Sequence, residues 1–268
     1  SIQNRLDDFE DRTMPRQDGW SREQLIVALK LYCEMPFGKM HSKNPEIIRY
    51  AKLINRTPSA LAMKLTNFAS LDPEIRSSGR KGLSGASRQD KEIWGELTSN
   101  WARLAEETSR VSPEVADGQS ETSESEMGTS IYSGTTKTAL VEARVGQNFF
   151  RNDVLRAYEF RCCITGLPVP ELLVASHIVP WRTDIANRLN PRNGLCLSAI
   201  HDRAFDLGLL TISEDLRVLL SAKLKRLKPE PFVSNTFHIY DGRPIKLPKK
   251  FFPNNDFLLH HRQSVFRG

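Results

Sequence analysis

Three polar residues in the C-terminal half are of types and at spacings that suit hydrolytic chemistry. His177, Asn193 and His201 follow one another at intervals of sixteen and eight residues. Imidazole changes its charge near neutral pH and also binds metals, so two histidines facing one cleft could move protons, hold an ion, or both. Around them lie groups of a second kind. Ser176 precedes His177, and two carboxylates, Asp202 and Asp206, follow His201. Carboxylate oxygens are the usual ligands of hard divalent cations, whereas a serine hydroxyl is a poor one.

The surrounding sequence predicts how these residues are positioned. Leu172–Val179 is rich in β-formers and is stopped by Pro180, which reads as a strand whose polar end is Ser176-His177. A polar loop follows with Arg182, Asp184, Arg188 and Asn190. Asn193-Gly194 is a turn signal, and Leu195-Cys196-Leu197 is a second short strand. Ser198 is placed to cap a helix beginning at Ala199. Strand, long loop, strand and helix would bring His177, at the end of a strand, to the same cleft as His201, in a first helical turn. A hairpin is expected over Leu209–Ser213 and Arg217–Ser221, followed by the basic run Lys223, Lys225, Arg226 and Lys228.

In this frame the stretches Ser176-His177-Ile178-Val179-Pro180-Trp181, Asn193-Gly194-Leu195-Cys196-Leu197 and His201-Asp202-Arg203-Ala204-Phe205-Asp206 resemble the HNH endonucleases, the ββα-metal nucleases. Gly146-Gln147, Phe150-Arg151, Arg161-Cys162, Thr165-Gly166, His261-Arg262 and Phe266 agree with a bacterial branch of that family. The resemblance covers nearly all of residues 140–268 and none of the N-terminal part. It implies that His177 is the general base, that His201 is a metal ligand on the helix, and that Asn193 pins the loop between the strands. It implies one divalent ion, Mg²⁺ with Mn²⁺ and Ni²⁺ as alternatives, and hydrolysis that leaves a 5′-phosphate. This sequence departs from the family at Ser176, where an acidic or histidine ligand is usual. Ser176 and His201 are then the expected ligands, with Asp206, or Asp202, supplying the missing carboxylate. Arg182 and Arg203 are expected to touch nucleic acid. Cys162, Cys163 and Cys196 lack paired Cys-x-x-Cys spacing, so buried thiols are expected in place of structural zinc. His260 and His261 are expected to be packing or surface residues.

Composition divides the rest of the chain. In the segment 108–137, twelve of thirty residues are Ser or Thr, and apolar residues are few, which predicts a flexible linker. The flanking parts are a nearly neutral domain at 1–107 and a basic one at 138–268, net +2 and +7 by sequence count, within a chain of net charge +6. A basic balance suits a polyanionic partner. The N-terminal part reads as helical. Ser21-Arg22-Glu23-Gln24 is a capping box ahead of a stripe at Leu25, Ala28, Leu29 and Tyr32. Asn44-Pro45 and Thr57-Pro58 start two further helices, Asn55 ends the first of them, and a fourth is expected through Ile93, Leu97, Trp101 and Leu104. The middle pair suits a helix-turn-helix, with Ser59, Met63, Lys64 and Asn67 facing outward and a basic loop at Arg80, Lys81 and Arg88.

The expected fold is therefore α+β: a small helix-turn-helix-like domain, a linker, and a ββα-metal domain. The expected function is a metal-dependent endonuclease acting on double-stranded DNA in restriction or phage defence. A DNA-binding regulator with a degenerate nuclease domain is the rival, and Ser176 is the feature that favours it. RNA as substrate and a homodimer both stay open. No stretch is long and apolar enough for a membrane, and cysteine usage points to a reducing, cytoplasmic setting.

Overall fold

Residues 19–77, 79, 85–111 and 137–268 are described in the computed structural model. The chain divides between Glu96 and Leu97, and each part has its own apolar core. None of the described helices is long and apolar enough to cross a membrane.

The N-terminal unit starts where its capping signals lie. Helix α1 (Arg22–Glu34) opens on the expected box: Ser21 Oγ accepts from the Gln24 amide at 3.2 Å, and the Ser21 amide donates to Gln24 Oε1 at 3.1 Å. From Leu25 to Glu34 every residue is buried, so α1 is a central helix and not one with a single covered stripe. Helix α2 (Pro45–Leu53) is capped by Asn44, whose Oδ1 accepts from the Glu46 amide at 2.9 Å. It ends before Asn55, which turns the chain at φ 53°. Helix α3 (Pro58–Leu71) is capped by Thr57; α4 (Pro73–Ser77) and the part of α5 (Arg88–Thr98) up to Glu96 complete the unit. Tyr32, Phe68 and Trp94 form an aromatic cluster, and the Tyr32 hydroxyl donates to Asp72 at 2.6 Å.

Only half of the outward face expected of α3 is there. The helix packs against α1, α2 and α4, and Lys64 and Asn67 are buried at 7% and 8% exposure. Lys64 Nζ lies 2.8 Å from Asp90 Oδ1 and 4.9 Å from the centre of the Trp20 ring, so its charge is used inside the unit. Ser59 and Met63 are exposed as expected. Arg88 is exposed and paired with Glu92 at 2.7 Å; Arg80 and Lys81 lie outside the described residues.

The fourth expected helix is two. It breaks at Ser99-Asn100, where Asn100 Oδ1 accepts from the Arg103 amide at 3.1 Å and starts α6 (Trp101–Val111). Helix α6 belongs to the C-terminal unit, where it packs on α7 (Lys137–Ala157) and sets Trp101 edge-on to Phe251 at 5.2 Å. The division thus falls before residue 107, and Thr108–Val111, expected in the linker, form the last turn of α6. The remainder of that segment up to residue 136 lies outside the described residues.

Two antiparallel strands, β1 (Leu173–His177) and β2 (Gly194–Ser198), form the hairpin that α7 and α8 (Ala199–Asp206) pack upon. His177 pairs with Gly194 in register, so Asn193-Gly194 is not a tight turn. Gly194 is required by crowding: a Cβ there would meet Val154 Cγ2 at 2.4 Å and Phe150 Cζ at 2.9 Å. The expected second hairpin is β3 (Leu210–Ile212) with β4 (Val218–Leu220). Short helices α9 (Ala222–Lys225) and α10 (Pro231–Thr236) and a terminal α11 (Asn255–Ser264) follow. All four cysteines are buried and unbridged; burial pushes the Cys163 thiol well up and that of Cys196 to about 12.

Candidate active site

Asn193 organises the loop that returns from β1 to β2. It is fully buried. Its Oδ1 accepts from the Val179 amide at 2.8 Å, and its Nδ2 donates to Val179 O at 3.1 Å and Asn187 O at 3.4 Å. One side chain thereby satisfies three backbone groups that strand pairing leaves open. The far part of the loop is braced by Asp184, which accepts from the Asn187 amide and side chain at 3.1 and 2.7 Å.

That bracing fixes a carbonyl against His177. His177 Nε2 lies 2.8 Å from Arg188 O. A carbonyl can only accept, so Nε2 carries the hydrogen, and in the neutral ring Nδ1 keeps its lone pair. The ring stacks on Phe150 at 3.9 Å and 13°, and meets Trp181 edge-on at 5.3 Å. Desolvation holds the imidazole below its ordinary pKa, against the opposing pull of the Arg188 carbonyl. The outcome is an oriented, neutral imidazole with one free basic nitrogen.

His201 is arranged differently. Its Nδ1 lies 2.7 Å from Ser198 Oγ, and its Nε2 lies 2.8 Å from Thr236 O. Nε2 must donate to that carbonyl, and Nδ1 then accepts from the serine hydroxyl, so neither nitrogen has a lone pair to offer a cation. The expectation that His201 ligates a metal does not fit this placement: the imidazole ties the start of α8 to the end of α10. Ser198 stands at the helix cap without the expected cap bond, because its hydroxyl serves His201.

The carboxylates take the other face of α8. Asp202 and Asp206 are one turn apart, which puts them on the same side of the helix. Asp202 is half-buried. Burial raises its carboxyl, while the Ser176 hydroxyl and Arg203 draw it back. Asp206 sits at the rim, its carboxyl pushed up to about 6 by desolvation and by the neighbouring Asp202. Ser176 is 2% exposed, and its buried Oγ acts on the Asp202 carboxyl without reaching the geometry of an ordinary hydrogen bond. Side chains alternate along a strand, so Ser176 and His177 face opposite sides of β1. Among the described residues no three His, Cys, Asp or Glu side chains gather as a metal cluster. Two carboxylates beside a buried hydroxyl nonetheless suit an ion of the Mg²⁺ class, which keeps several waters and takes one or two carboxylates together with substrate phosphate. Asp202 was legible as a candidate from its type, but its one-turn relation to Asp206 is the signal that separates it from His201. Arg182 and Arg203 are both exposed.

Residues 162–213 match a family model described as HNH endonuclease. The match lies in the C-terminal part of the chain. The matched residues contain β1, the braced loop, β2, α8 and β3. No curated protein matches the chain. HNH domains are associated with nuclease activity and generally with a divalent metal.

Proposed function

We propose that this protein is a divalent-metal-dependent endonuclease that hydrolyses phosphodiester bonds in double-stranded DNA, with His177 as general base. The observation that carries this reading is the Arg188 carbonyl, which fixes the Nε2–H tautomer and leaves Nδ1 free to accept a proton from the attacking water. Phe150 and Trp181 hold the ring against rotation. Asn193 acts through the loop and touches no reacting atom. Asp202 and Asp206, with Ser176 beside them, would hold the ion; when bound it stabilises charge on the phosphate and the leaving oxygen. Arg182 and Arg203, both exposed, are the residues that would meet phosphates in this reading. A role in restriction or phage defence is part of the proposal and rests on the company such domains keep.

A second reading, a DNA-binding protein whose nuclease fold is inactive, has two observations in its favour: Ser176 stands where the resemblance leads one to expect an acidic or histidine ligand, and His201 is engaged on both nitrogens. One assay separates the two. Purified protein with Mg²⁺, Mn²⁺ or Ni²⁺ is given modified and unmodified duplexes, and the ends are mapped. The endonuclease reading expects cleavage that disappears on chelation and in His177→Ala. Binding without cleavage under every ion would sink it.

A further inference from the structure

The N-terminal unit spends its carboxylates unevenly. Arg22 is paired with Glu96 at 2.9 Å, Lys30 with Glu34 at 3.2 Å, Lys64 with Asp90 at 2.8 Å and Arg88 with Glu92 at 2.7 Å. A different pattern holds from Met35 to Leu71, where there are six basic residues and one acidic residue, Glu46. Two of the six are turned inward. Lys64 is tied to Asp90, and Arg56 lies against the Trp20 ring and Gln24. The other four, Lys39, Lys43, Arg49 and Lys52, are exposed, and among the described residues none of them is in an ion pair. They lie on α2 and on the short turn and loop that lead into it.

We propose that α2 and the loop before it form the surface by which the N-terminal unit holds the phosphate backbone of duplex DNA. This rests on the reading of the chain as a DNA endonuclease and places the contact on α2 instead of α3. The physical case is one of charge. Exposed cations without carboxylate partners give up no ion pair by approaching a polyanion, and each phosphate they neutralise releases condensed counterions. Arg49 and Lys52 are three positions apart on α2 and so are neighbours on its surface. Lys39 and Lys43 are exposed in the turn and loop that precede the helix start. No base-reading role is assigned: the face offers Ile48 and Leu53, 47% and 44% exposed, on either side of its cations, and contributes affinity more than sequence choice.

Those two apolar residues raise another occupant, a second copy of the chain. A two-fold interface sets the same patch against itself. It would bring Arg49 and Lys52 against their own kind, with Glu46 as the one acidic residue of that helix, and like charges across an interface are costly. The same charges favour nucleic acid.

The test uses the full chain and a fluorescent DNA duplex without divalent ion, so that no cutting occurs. Binding is followed by anisotropy across a salt series. Arg49→Gln/Lys52→Gln should lower the slope of log affinity against log salt by about 0.9 for each phosphate that the protein no longer neutralises. Lys39→Gln/Lys43→Gln provides an independent pair on the loop. Arg76→Gln/Lys91→Gln removes equal charge from exposed positions elsewhere in the unit and should leave the slope unchanged. Sedimentation of each variant checks assembly. Equal slopes for the three pairs overturn the proposal, as does a change of oligomeric state in Arg49→Gln/Lys52→Gln with unchanged DNA affinity. Wild-type protein that binds DNA through this face but never cuts it would leave the surface standing and sink the nuclease reading. Wild-type protein that cuts DNA while the α2 variants bind normally does the reverse.

Discussion

His177 is held by three groups that do not react: the Arg188 carbonyl, the Phe150 ring and the Trp181 edge. Removing the imidazole should therefore abolish a proton transfer without disturbing the groups that meet phosphate. His177→Ala is expected to lower cleavage by ~10²–10⁴-fold, with duplex affinity within a few-fold of wild type; cleavage at the wild-type rate would end the assignment. The two halves of α8 give a second test. Asp202→Asn should weaken ion binding in a calorimetric titration, because it takes a charge from the face beside Ser176. His201→Gln should cost stability through its bonds to Ser198 and Thr236 and leave ion binding little changed. The reverse pattern would return His201 to the metal. In the sequence, His201 and Asp202 are adjacent and both are good ligand types. What separates them is a helical rotation of ~100° and a backbone carbonyl at Thr236, thirty-five residues away. No local pattern contains that carbonyl. The place of His177 at the end of β1, by contrast, was legible because strand, loop and strand follow one another in the chain, whereas the loop-pinning part of Asn193 came from the family resemblance and not from its local turn signal.

Elements tell a similar story about what is local. Ser21, Asn44 and Thr57 are capping residues whose partners lie two or three positions ahead, and all three start helices as expected. The inward turn of Lys64 depends on Asp90 in another helix, and the periodicity of α3 says nothing of it. Gly194 combines both kinds of cause: its place in β2 is local, its necessity comes from α7. Gly194→Ala would drive a Cβ into Val154 and Phe150. A cost of about 1–3 kcal/mol is expected from such overpacking, along with reduced cleavage, since Phe150 is the ring under His177. Unchanged melting and unchanged cleavage would show that α7 yields freely there. Helix α11 carries a third long-range tie. His261 stacks on Phe205 at 3.6 Å, lies 2.8 Å from Thr211 Oγ1 at its Nδ1, and meets Phe205 O at 3.1 Å through Nε2. Desolvation leads in lowering its pKa from 6.5 to about 4. Above pH 6.5 both folded and unfolded chains hold it neutral. As pH falls below 6.5 the unfolded chain takes up a proton that the folded one refuses until about pH 4. Stability present at neutral pH thus declines across that window, by about 3 kcal/mol in all. Denaturant melts of wild type and His261→Gln at several pH values check this: the variant, whatever its absolute stability, should lose less between those limits. Parallel curves would mean that the imidazole is protonated in the fold.

At the scale of the whole chain, composition located a segment of changed character but misplaced the point where the C-terminal unit begins. Ser- and Thr-rich sequence starts near residue 108, and a boundary read from it gives α6 to the N-terminal part. The structure divides before Leu97 and builds α6 into the same unit as residues 162–213, which match the HNH family model. Trp101, Leu104, Ala105 and Thr108 are buried, Trp101 lies edge-on to Phe251, and the Arg192 guanidinium lies 5.9 Å from the centre of the Phe251 ring. Arg192 is in the braced loop two residues from Gly194, so α6 reaches the site through Phe251. Two truncations separate the boundaries. A chain of residues 97–268 keeps α6; one of 138–268 lacks it and uncovers Phe251 and the α6-facing side of α7. Burying a large apolar side chain contributes roughly 1.5–3 kcal/mol, so removing both Trp101 and Leu104 should cost the shorter chain at least several kcal/mol. The expected outcome is a cooperative melt for 97–268 near that of its unit in the full chain, and a much lower or broader one for 138–268. Cleavage of a long DNA should follow the same order. If 138–268 melts as high as 97–268 and cuts as fast, α6 contributes nothing to the unit, and the nuclease begins where the sequence composition changes.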